Sequence, residues 1–330
     1  MSEITPPSSS EDRRWAFFGF LSARAAPLAS FLVILLMLVV CNMMAPGFVS
    51  VANIMQIAQL SAFLGIAAIG QTLVILCGGI DLSVAWTITG AACVFTQVSQ
   101  GQSDMLLPAL AAALAAGLGA GILNGIGVAK FRISPIVMTL AMNNVIQGVT
   151  LLYTEGTPSG SAVEESRFVA TGYIGPFSVL VLLWVALAIV VIALLRLTRG
   201  GRQLLGVGEN PLVSYLSGVR NDRVLISAYA LSGLTAALAG VLYASFSGAS
   251  FLGMGDTFVL PAIAAVVIGG ASIYGGRGGY GGTVIGALFL TLLTTMLSII
   301  NFSAGGRDVI YGAVIIAALL LNRFTQGVAR

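Results

Sequence analysis

Asp81 is the residue whose type and position are most unusual in this sequence. It lies in the segment Gly78–Ser83, which reads GGIDLS and separates two long apolar runs. A carboxylate at this place has two interpretations. It caps a helix predicted to begin at Leu82, where the helix dipole favours an anion, or it acts as a ligand or a gate at a helix break within a membrane. The sequence leaves both open.

Uncharged polar side chains mark a second candidate site, on the apolar segment 135–153. Thr139, Asn143 and Gln147 recur there at helical spacing, and Asn144 lies beside them. Such groups either form hydrogen bonds between helices or replace water around a neutral, hydroxyl-rich solute. Glutamines of the segment 52–77 raise the same question, and the bulky Trp86 can line or narrow a passage. The substrate-pathway candidates are therefore Gln56, Gln71, Asp81, Trp86, Thr139, Asn143, Asn144 and Gln147.

A third candidate is the segment 208–219, which reads GENPLVSYLSGV. Its apolar residues 212, 215, 216 and 219 follow the i, i+3, i+4, i+7 spacing of one helix face. Asn210 followed by Pro211 predicts the start of a short helix, and Gly218 predicts its end. This amphipathic helix either lies in the membrane interface or docks into a groove of a partner protein. The pattern alone favours neither.

Several chemistries are excluded by composition. The chain has no histidine, which removes a histidine base and a histidine metal site. Its single lysine, Lys130, is not preceded by the glycine pattern of a phosphate-binding loop. The three cysteines lie in apolar runs without a CxxC pair, and the net charge of +3 is no nucleic-acid signature. We predict no catalytic residue, no metal site, no cofactor and no nucleic-acid partner.

The elements that position these residues are predicted to be membrane-spanning helices. Only 27 of 330 residues are charged, 58% are hydrophobic and the mean hydropathy is +1.01. A soluble domain carries about a quarter charged residues, so the sequence predicts an all-α polytopic membrane protein. About ten spans are predicted, at 27–45, 52–77, 82–99, 106–128, 135–153, 177–196, 224–247, 258–271, 281–300 and 308–322.

Positive charges predict the orientation of these spans. With both termini in the cytoplasm, 13 of the 15 arginine and lysine residues lie inside, and only Arg167 and Arg307 lie outside. The sequence then divides into a cytoplasmic arm at 1–25, a single transmembrane domain at 26–323 and a cytoplasmic tail at 324–330. The longest loops are 197–223 inside and 154–176 outside. Five spans on either side of loop 197–223 indicate a possible inverted repeat of spans two to five and seven to ten.

Glycines recur every fourth residue in two places, at 117, 121 and 125 and at 278, 282 and 286. Small residues at this spacing let helix backbones approach closely. The two series predict either packing within the chain or a dimer face.

Three motifs together resemble the ribose/xylose-type permease family. They are the segment Gly78–Val84, the segment Gly208–Gly218, and Ala264–Gly270 (AAVVIGG) followed by Gly275–Gly278 (GGRG). Their order and spacing cover about residues 50–323. Members of this family are the permeases, or membrane subunits, of bacterial ABC importers for monosaccharides. The resemblance therefore implies that the domain 26–323 is a permease domain in the bacterial inner membrane. The sequence departs from the family at Ala85-Trp86 and, in the second motif, at Pro211 and Val213-Ser214.

The resemblance implies a function and a set of partners. The chain would pair with a second, identical permease subunit in the lipid bilayer, a cytoplasmic ABC ATPase would supply the energy, and a periplasmic binding protein would deliver a neutral sugar. A short cytoplasmic helix would transmit closure of the ATPase. The residues that match it are Gly208, Glu209, Asn210, Leu212, Tyr215, Leu216, Ser217 and Gly218. Alternatives are a polyol or a branched-chain amino acid as cargo, or an ion-coupled secondary carrier. The chain itself would not be an enzyme.

Overall fold

The computed structural model describes residues 33–303, 305–307 and 309–316. The predicted arm at 1–25, the tail at 324–330 and parts of the first and tenth predicted spans lie outside the described residues. The helices, in chain order, are α1 (Val33–Met44), α2 (Val51–Leu76), α3 (Val84–Ser99), α4 (Leu106–Ala129), α5 (Pro135–Thr154), α6 (Glu164–Thr171), α7 (Val179–Leu197), α8 (Arg199–Glu209), α9 (Pro211–Leu216), α10 (Asn221–Ser247), α11 (Val259–Ile268) and α12 (Tyr280–Ile299), and residues 305–307 and 309–316 are also helical.

Six of these helices are long and apolar enough to cross a membrane. They are α2, α4 with the short 3₁₀ turn Ser103–Met105 before it, α5, α7, α10 and α12. Three further helices, α1, α3 and α11 with its preceding 3₁₀ turn Asp256–Phe258, are apolar but shorter. The prediction of an all-α membrane protein is therefore confirmed.

Helices α2 and α10 form the centre of the bundle. Helix α2 is buried along most of its length and packs on α7, α10, α11 and α12. Helix α10 packs on α2, α3 and α4. By contrast, α5 contacts α3 and α4 and leaves most of its apolar surface exposed. The core therefore lies between the first and second halves of the chain.

The glycine series of α4 serves packing within the chain. A Cβ on Gly117 would overlap the Gly233 carbonyl of α10, and a Cβ on Gly121 would overlap the Tyr229 carbonyl. Gly125 lies equally close to Ile226 of the same helix. Because no side chain intervenes, the two backbones meet directly. The packing interpretation of this series is confirmed.

Helix α11 begins inside the bundle. It has ten residues, about 15 Å, whereas a bilayer core is about 30 Å thick. The chain before it reaches the middle of α3, where the Gly255 amide donates a hydrogen bond of 3.1 Å to the Thr89 hydroxyl. The eighth predicted span, at 258–271, is thus a half-length helix that starts beside the middle of α3.

The loop predicted at 154–176 contains structure that the sequence did not indicate. Helix α6 is followed by a two-stranded antiparallel hairpin, β1 (Tyr173–Ile174) and β2 (Phe177–Ser178), with Tyr173 opposite Ser178. The Gln59 side chain of α2 donates a hydrogen bond of 2.7 Å to the Ala170 carbonyl of α6. This bond fixes the loop against one end of the bundle.

Candidate functional site: the junction of three motifs

The connector between α2 and α3, residues 77–83, is built around the buried carboxylate of Asp81. One carboxylate oxygen, Oδ1, accepts hydrogen bonds from the Ser83 amide (2.9 Å) and the Ser83 hydroxyl (2.6 Å). The other, Oδ2, accepts one from the Ser232 hydroxyl of α10 (2.7 Å). A buried charge needs such donors to offset the loss of water. Asp81 therefore ties the connector to the central helix α10.

Helix α3 begins at Val84 rather than at the predicted Leu82. The Asp81 carboxylate covers the amide of Ser83, one residue before the helix, and the residue at the N-cap position is Ser83 itself. The Asp81 carboxylate thus stabilises the turn before α3 through Ser83 and also links this turn to α10 through Ser232.

Two further helices hold the same connector. The Asn124 side chain of α4 donates a hydrogen bond of 2.8 Å to the Ser83 hydroxyl. The Thr139 hydroxyl of α5 accepts one of 3.0 Å from the Leu82 amide. The Asn143 side-chain oxygen accepts one of 3.3 Å from the Trp86 amide. Polar side chains of α4 and α10 therefore hold the side chains of the connector, and α5 holds its backbone and the first turn of α3.

The glycine-rich segment 275–278 and helix α8 meet the same connector. The Gly276 amide donates a hydrogen bond of 2.9 Å to the Leu76 carbonyl at the end of α2. A Cβ on Gly208 of α8 would overlap that carbonyl oxygen and crowd the Gly276 amide. Gly275, with φ +90°, lies against Gly78 and Gly208. Only glycine permits both this conformation and this approach.

An ion pair closes the contact on the exposed side. The Arg277 guanidinium donates to the Glu209 carboxylate at 3.1 Å, and both side chains are more than half exposed. All three sequence motifs thus come together, although they lie far apart in the chain. We call this contact region the junction, defined by residues 76–84, 208–209 and 275–277.

Helix α9 follows the junction directly in the chain and lies at the surface of the structure. The Asn210 side chain accepts hydrogen bonds from the Leu212 amide (3.0 Å) and the Val213 amide (3.1 Å), as an N-cap does. The helix ends at Leu216, and Ser217 at the C-cap is followed by Gly218 with φ +82°. The predicted start and stop are therefore confirmed.

The apolar side chains of α9 are not covered by any of the residues that the structure describes. Leu212, Tyr215 and Leu216 are 66%, 68% and 74% exposed, whereas Ser214 is buried against the rest of the structure. Helix α8 before it, which the sequence did not predict, holds α9 at one end of the bundle and contacts α2, α7 and α10. A surface of this kind needs a membrane or a protein partner.

The remaining predicted pathway residues do not form one site. Gln71 of α2 is fully buried, and neither of its side-chain polar atoms has a hydrogen-bond partner among the described residues. Trp86 is buried at the start of α3. Gln56 is exposed at the start of α2, Asn144 is exposed and bonds the Leu140 carbonyl of its own helix (3.2 Å), and Gln147 is half-buried.

A cavity lies at the end of the bundle opposite to the junction, and the sequence analysis did not predict it. It has a volume of about 470 Å³ and lies between α2, α10, the start of α11, α12 and the helical residues after α12. Four aromatic side chains and a row of hydroxyl groups line it. The sequence signal was present in TLLTTMLS at 291–298, where hydroxyl residues recur at i, i+3, i+4 and i+7. We call it the hydroxyl-lined cavity, and its lining includes Phe63, Tyr243, Phe258, Thr257, Thr291, Thr294, Thr295, Ser298, Arg307 and Tyr311.

No group of three or more Asp, Glu or Cys side chains in the described part of the chain could hold a metal ion.

Comparison with known proteins decides the family. Residues 53–319 match the family described as branched-chain amino acid transport system / permease component. The chain belongs to this permease family. The permease is 34% identical over 322 residues to the ribose import permease protein RbsC of Bacillus subtilis (strain 168), which covers 97% of this chain and 98% of that protein. It is 31% identical over 334 residues to the L-arabinose transport system permease protein AraH of Escherichia coli (strain K12), which covers 100% and 99%.

The E. coli (strain K12) ribose import permease protein RbsC is 34% identical over 303 residues, which are 90% of this chain and 94% of that protein. No solved structure matches the permease. The resemblance inferred from the three motifs is confirmed, and the permease is a multi-pass protein of the bacterial inner membrane.

Proposed function

We propose that the permease imports a neutral monosaccharide, with energy from a separate ABC ATPase that docks on α9. The observation that carries this is the junction: the exposed α9 is joined, through α8, to the connector of α2 and α3 and to the segment that leads into α12. The relatives that match nearly the whole chain are named for ribose and L-arabinose. The chain lacks a phosphate-binding loop, so the ATP must be hydrolysed elsewhere.

The junction supports a specific transmission route. A push on α9 passes to α8 because Asn210 caps one helix where the other ends. From α8 the displacement passes to the Leu76 carbonyl and the Gly276 amide, because the backbone of Gly208 contacts both directly without an intervening side chain. The C-terminal end of α2 and the N-terminal end of α12 then move together, and this movement changes the side of the membrane to which the passage opens. The clamp around Asp81 carries the movement into α10.

The orientation follows from where the charges lie. Arginines of α8 and of the start of α10 lie at the junction end, and the Lys130 ammonium at the end of α4 pairs with Asp222 of α10 at 3.3 Å. Arg167 lies beside Gly248, at the other end of α10. We therefore assign the junction end to the cytoplasm, by the excess of positive charge, with about ten spans and both termini inside.

An inverted repeat is supported by which helices pack together. Helix α2 packs on α11 and α12, and α10 packs on α3 and α4, while α3 packs on α4 and α11 packs on α12. Exchanging α2, α3 and α4 for α10, α11 and α12 preserves this pattern. Because α2 ends at the junction where α10 begins, the two sets run in opposite directions, as inverted repeats do.

The complete importer would contain two copies of the permease, an ABC ATPase below them and a periplasmic binding protein above. The test uses these parts reconstituted in liposomes. We expect Leu216→Asp to reduce ATP-dependent sugar uptake by more than about tenfold, because a charge replaces an apolar side chain at the docking face, a loss of roughly 1–3 kcal/mol. The matched control is Ile174→Asp, at an isoleucine that is 58% exposed in strand β1, outside the spanning helices and away from the junction.

Unchanged uptake by Leu216→Asp would remove the coupling role of α9. Sugar uptake by the wild type without ATPase would refute the importer as a whole.

A branched-chain amino acid is the second candidate cargo, because the matching family is described by that transport system. Ligand binding to the cognate periplasmic protein, measured by calorimetry with D-ribose, L-arabinose and L-leucine, decides between the two. Tight binding of leucine alone would overturn the sugar assignment and leave the importer class intact.

A further inference from the structure

The hydroxyl-lined cavity lies at the end of the bundle away from the junction. It is bounded by the first half of α2, the last turns of α10 and α12, and Thr257 and Phe258 before α11. Its volume of about 470 Å³ falls in the range of about 300–1,000 Å³ that is usual for small-molecule sites. Under the orientation proposed above, it faces the periplasm.

One wall of this cavity is aromatic. The Tyr243 ring lies edge-on to the Phe63 ring (5.4 Å between centroids, 65°) and to the Phe258 ring (5.3 Å, 81°). Edge-to-face packing holds such rings in fixed orientations. Fixed aromatic faces provide a flat apolar surface for the C–H groups of a sugar ring, while the Tyr243 hydroxyl adds a polar group at its edge.

The facing wall consists of hydroxyl groups on α12. Thr294, Thr295 and Ser298 each donate a hydrogen bond to the carbonyl four residues earlier, at 2.7 to 2.8 Å. Each hydroxyl thus donates its one proton within the helix. The Thr294 hydroxyl also forms a hydrogen bond with the Tyr311 hydroxyl and keeps one lone pair, whereas the Thr295 and Ser298 hydroxyls keep both lone pairs to accept. The wall therefore presents acceptors, which the hydroxyl donors of a sugar can use.

Arg307 adds donors at the same cavity. Its Nε donates to the Phe302 carbonyl at 3.3 Å, which steadies the guanidinium. The remaining guanidinium N–H groups suit the oxygens of a sugar. Among the described residues, no carboxylate lines the cavity.

We propose that the hydroxyl-lined cavity is where the permease receives one monosaccharide from the binding protein. The sugar ring lies against Tyr243, its hydroxyls donate to Thr294, Thr295 and Ser298, and Arg307 donates to its oxygens. This rests on the proposed function and adds a site that is separate from the polar stripe of α5, whose Thr139 and Asn143 bind backbone.

The experiment measures ATP-dependent uptake by the reconstituted importer, with D-ribose and L-arabinose as probes at limiting loaded binding protein. Thr295→Val keeps the side-chain shape and removes the hydroxyl, whereas Thr295→Ser keeps the hydroxyl. We expect Thr295→Val to lower uptake about two- to tenfold, the effect of one hydrogen bond, and Thr295→Ser to retain most of it. The matched control is Thr154→Val, which removes a hydroxyl with the same bond to its own helix on α5.

A second measurement distinguishes the loss of a hydrogen bond to the sugar from a change in the shape of the cavity. Thr295→Val should lose most of its defect when the probe is a deoxy sugar that lacks the hydroxyl in question, tried at each ring position in turn. Wild-type uptake by Thr295→Val, or an equal loss in Thr295→Ser and Thr295→Val, would overturn the site and leave the importer assignment standing. Failure of the wild type to take up either sugar with ATP would instead overturn the proposed function, and the site with it.

Discussion

At the junction, a glycine of α8 touches a carbonyl of α2 so closely that no side chain fits, whereas the other end of α2 borders a cavity of about 470 Å³. At the junction, the buried Asp81 carboxylate accepts hydrogen bonds from Ser83 and from Ser232 of α10, and Asn124 of α4 donates one to Ser83. The cavity leaves hydroxyl oxygens and aromatic faces open. One end is thus built to transmit movement and the other to hold a solute.

The difference between the junction and the hydroxyl-lined cavity shows how a chain with few charges can separate the transmission of movement from the binding of a solute. Close backbone contact transmits displacement because packed interiors do not compress. A loose, half-polar chamber allows cargo to enter and leave, since nothing in it binds tightly. Variants that add a side chain at the junction should therefore be more damaging than variants that remove one group from the cavity.

The largest effect is expected at Gly208. Replacement by alanine places a Cβ into the Leu76 carbonyl and the Gly276 amide, both of them backbone atoms that cannot move aside alone. Overpacking of this kind costs about 1–3 kcal/mol, and we expect Gly208→Ala to lower ATP-dependent uptake by more than about tenfold. The measurement is uptake in liposomes, together with co-purification of the ATPase.

Gly200→Ala is the matched control on the same helix. Its Cβ would meet only the Thr198 hydroxyl, at an ordinary distance of 3.7 Å. Equal uptake by the two variants would mean that the close contact at Gly208 has no special role, and the contrast between the two ends would fail.

A smaller loss is expected for Asp81→Asn, which keeps the shape of the side chain and removes its charge. Hydrogen bonds to a charged acceptor contribute about 1.5–3 kcal/mol and neutral ones about 0.5–1.5 kcal/mol. The three bonds from Ser83 and Ser232 should weaken, so the variant should unfold at a lower temperature in detergent and transport several-fold more slowly. Asp104→Asn, at an exposed carboxylate before α4, is the control.

If Asp81→Asn keeps its unfolding temperature and loses uptake alone, the carboxylate acts on the cargo rather than on the connector. That outcome would revive the interpretation of Asp81 as a ligand or gate and weaken its assignment to the junction.

Much of the helix pattern could be predicted because proline, glycine and charge mark the ends of apolar runs. The segment predicted at 135–153 is observed as Pro135–Thr154, and the one predicted at 106–128 is observed as Leu106–Ala129. Helices α6 and α8 were missed because short polar helices outside the core show no long apolar run. The half-length of α11 depends on Gly255 entering the bundle beside Thr89, a contact between distant parts of the chain.

The candidate site could be predicted only in its parts. Each motif of the junction was visible, but their meeting depends on Gly208, Gly276 and Leu76 packing across more than 60 residues of sequence. The α5 stripe was correctly placed on a helix, yet Thr139 and Asn143 bind backbone amides of the connector. The hydroxyl groups of α12 were overlooked because serine and threonine side chains in helices often bond the backbone of their own helix, so their presence alone does not indicate a binding site.

The smallest effect is expected at the ion pair between Glu209 and Arg277. The two atoms lie 3.1 Å apart, but the side chains are 52% and 63% exposed, and exposed pairs contribute about 0–1 kcal/mol. Arg277→Glu places two carboxylates together and should reduce uptake by no more than about fivefold. The double exchange Glu209→Arg with Arg277→Glu should recover most of it, because the pair is restored with reversed polarity.

Uptake by the single and double variants, measured at low and high salt, tests whether the pair acts within the junction. Salt should narrow the difference between Arg277→Glu and the wild type, since exposed charges are screened. A double exchange that fails to recover would assign Arg277 to contact with the ATPase instead. The junction would then be held by its glycine contacts alone, and the contrast with the cavity would rest on packing rather than charge.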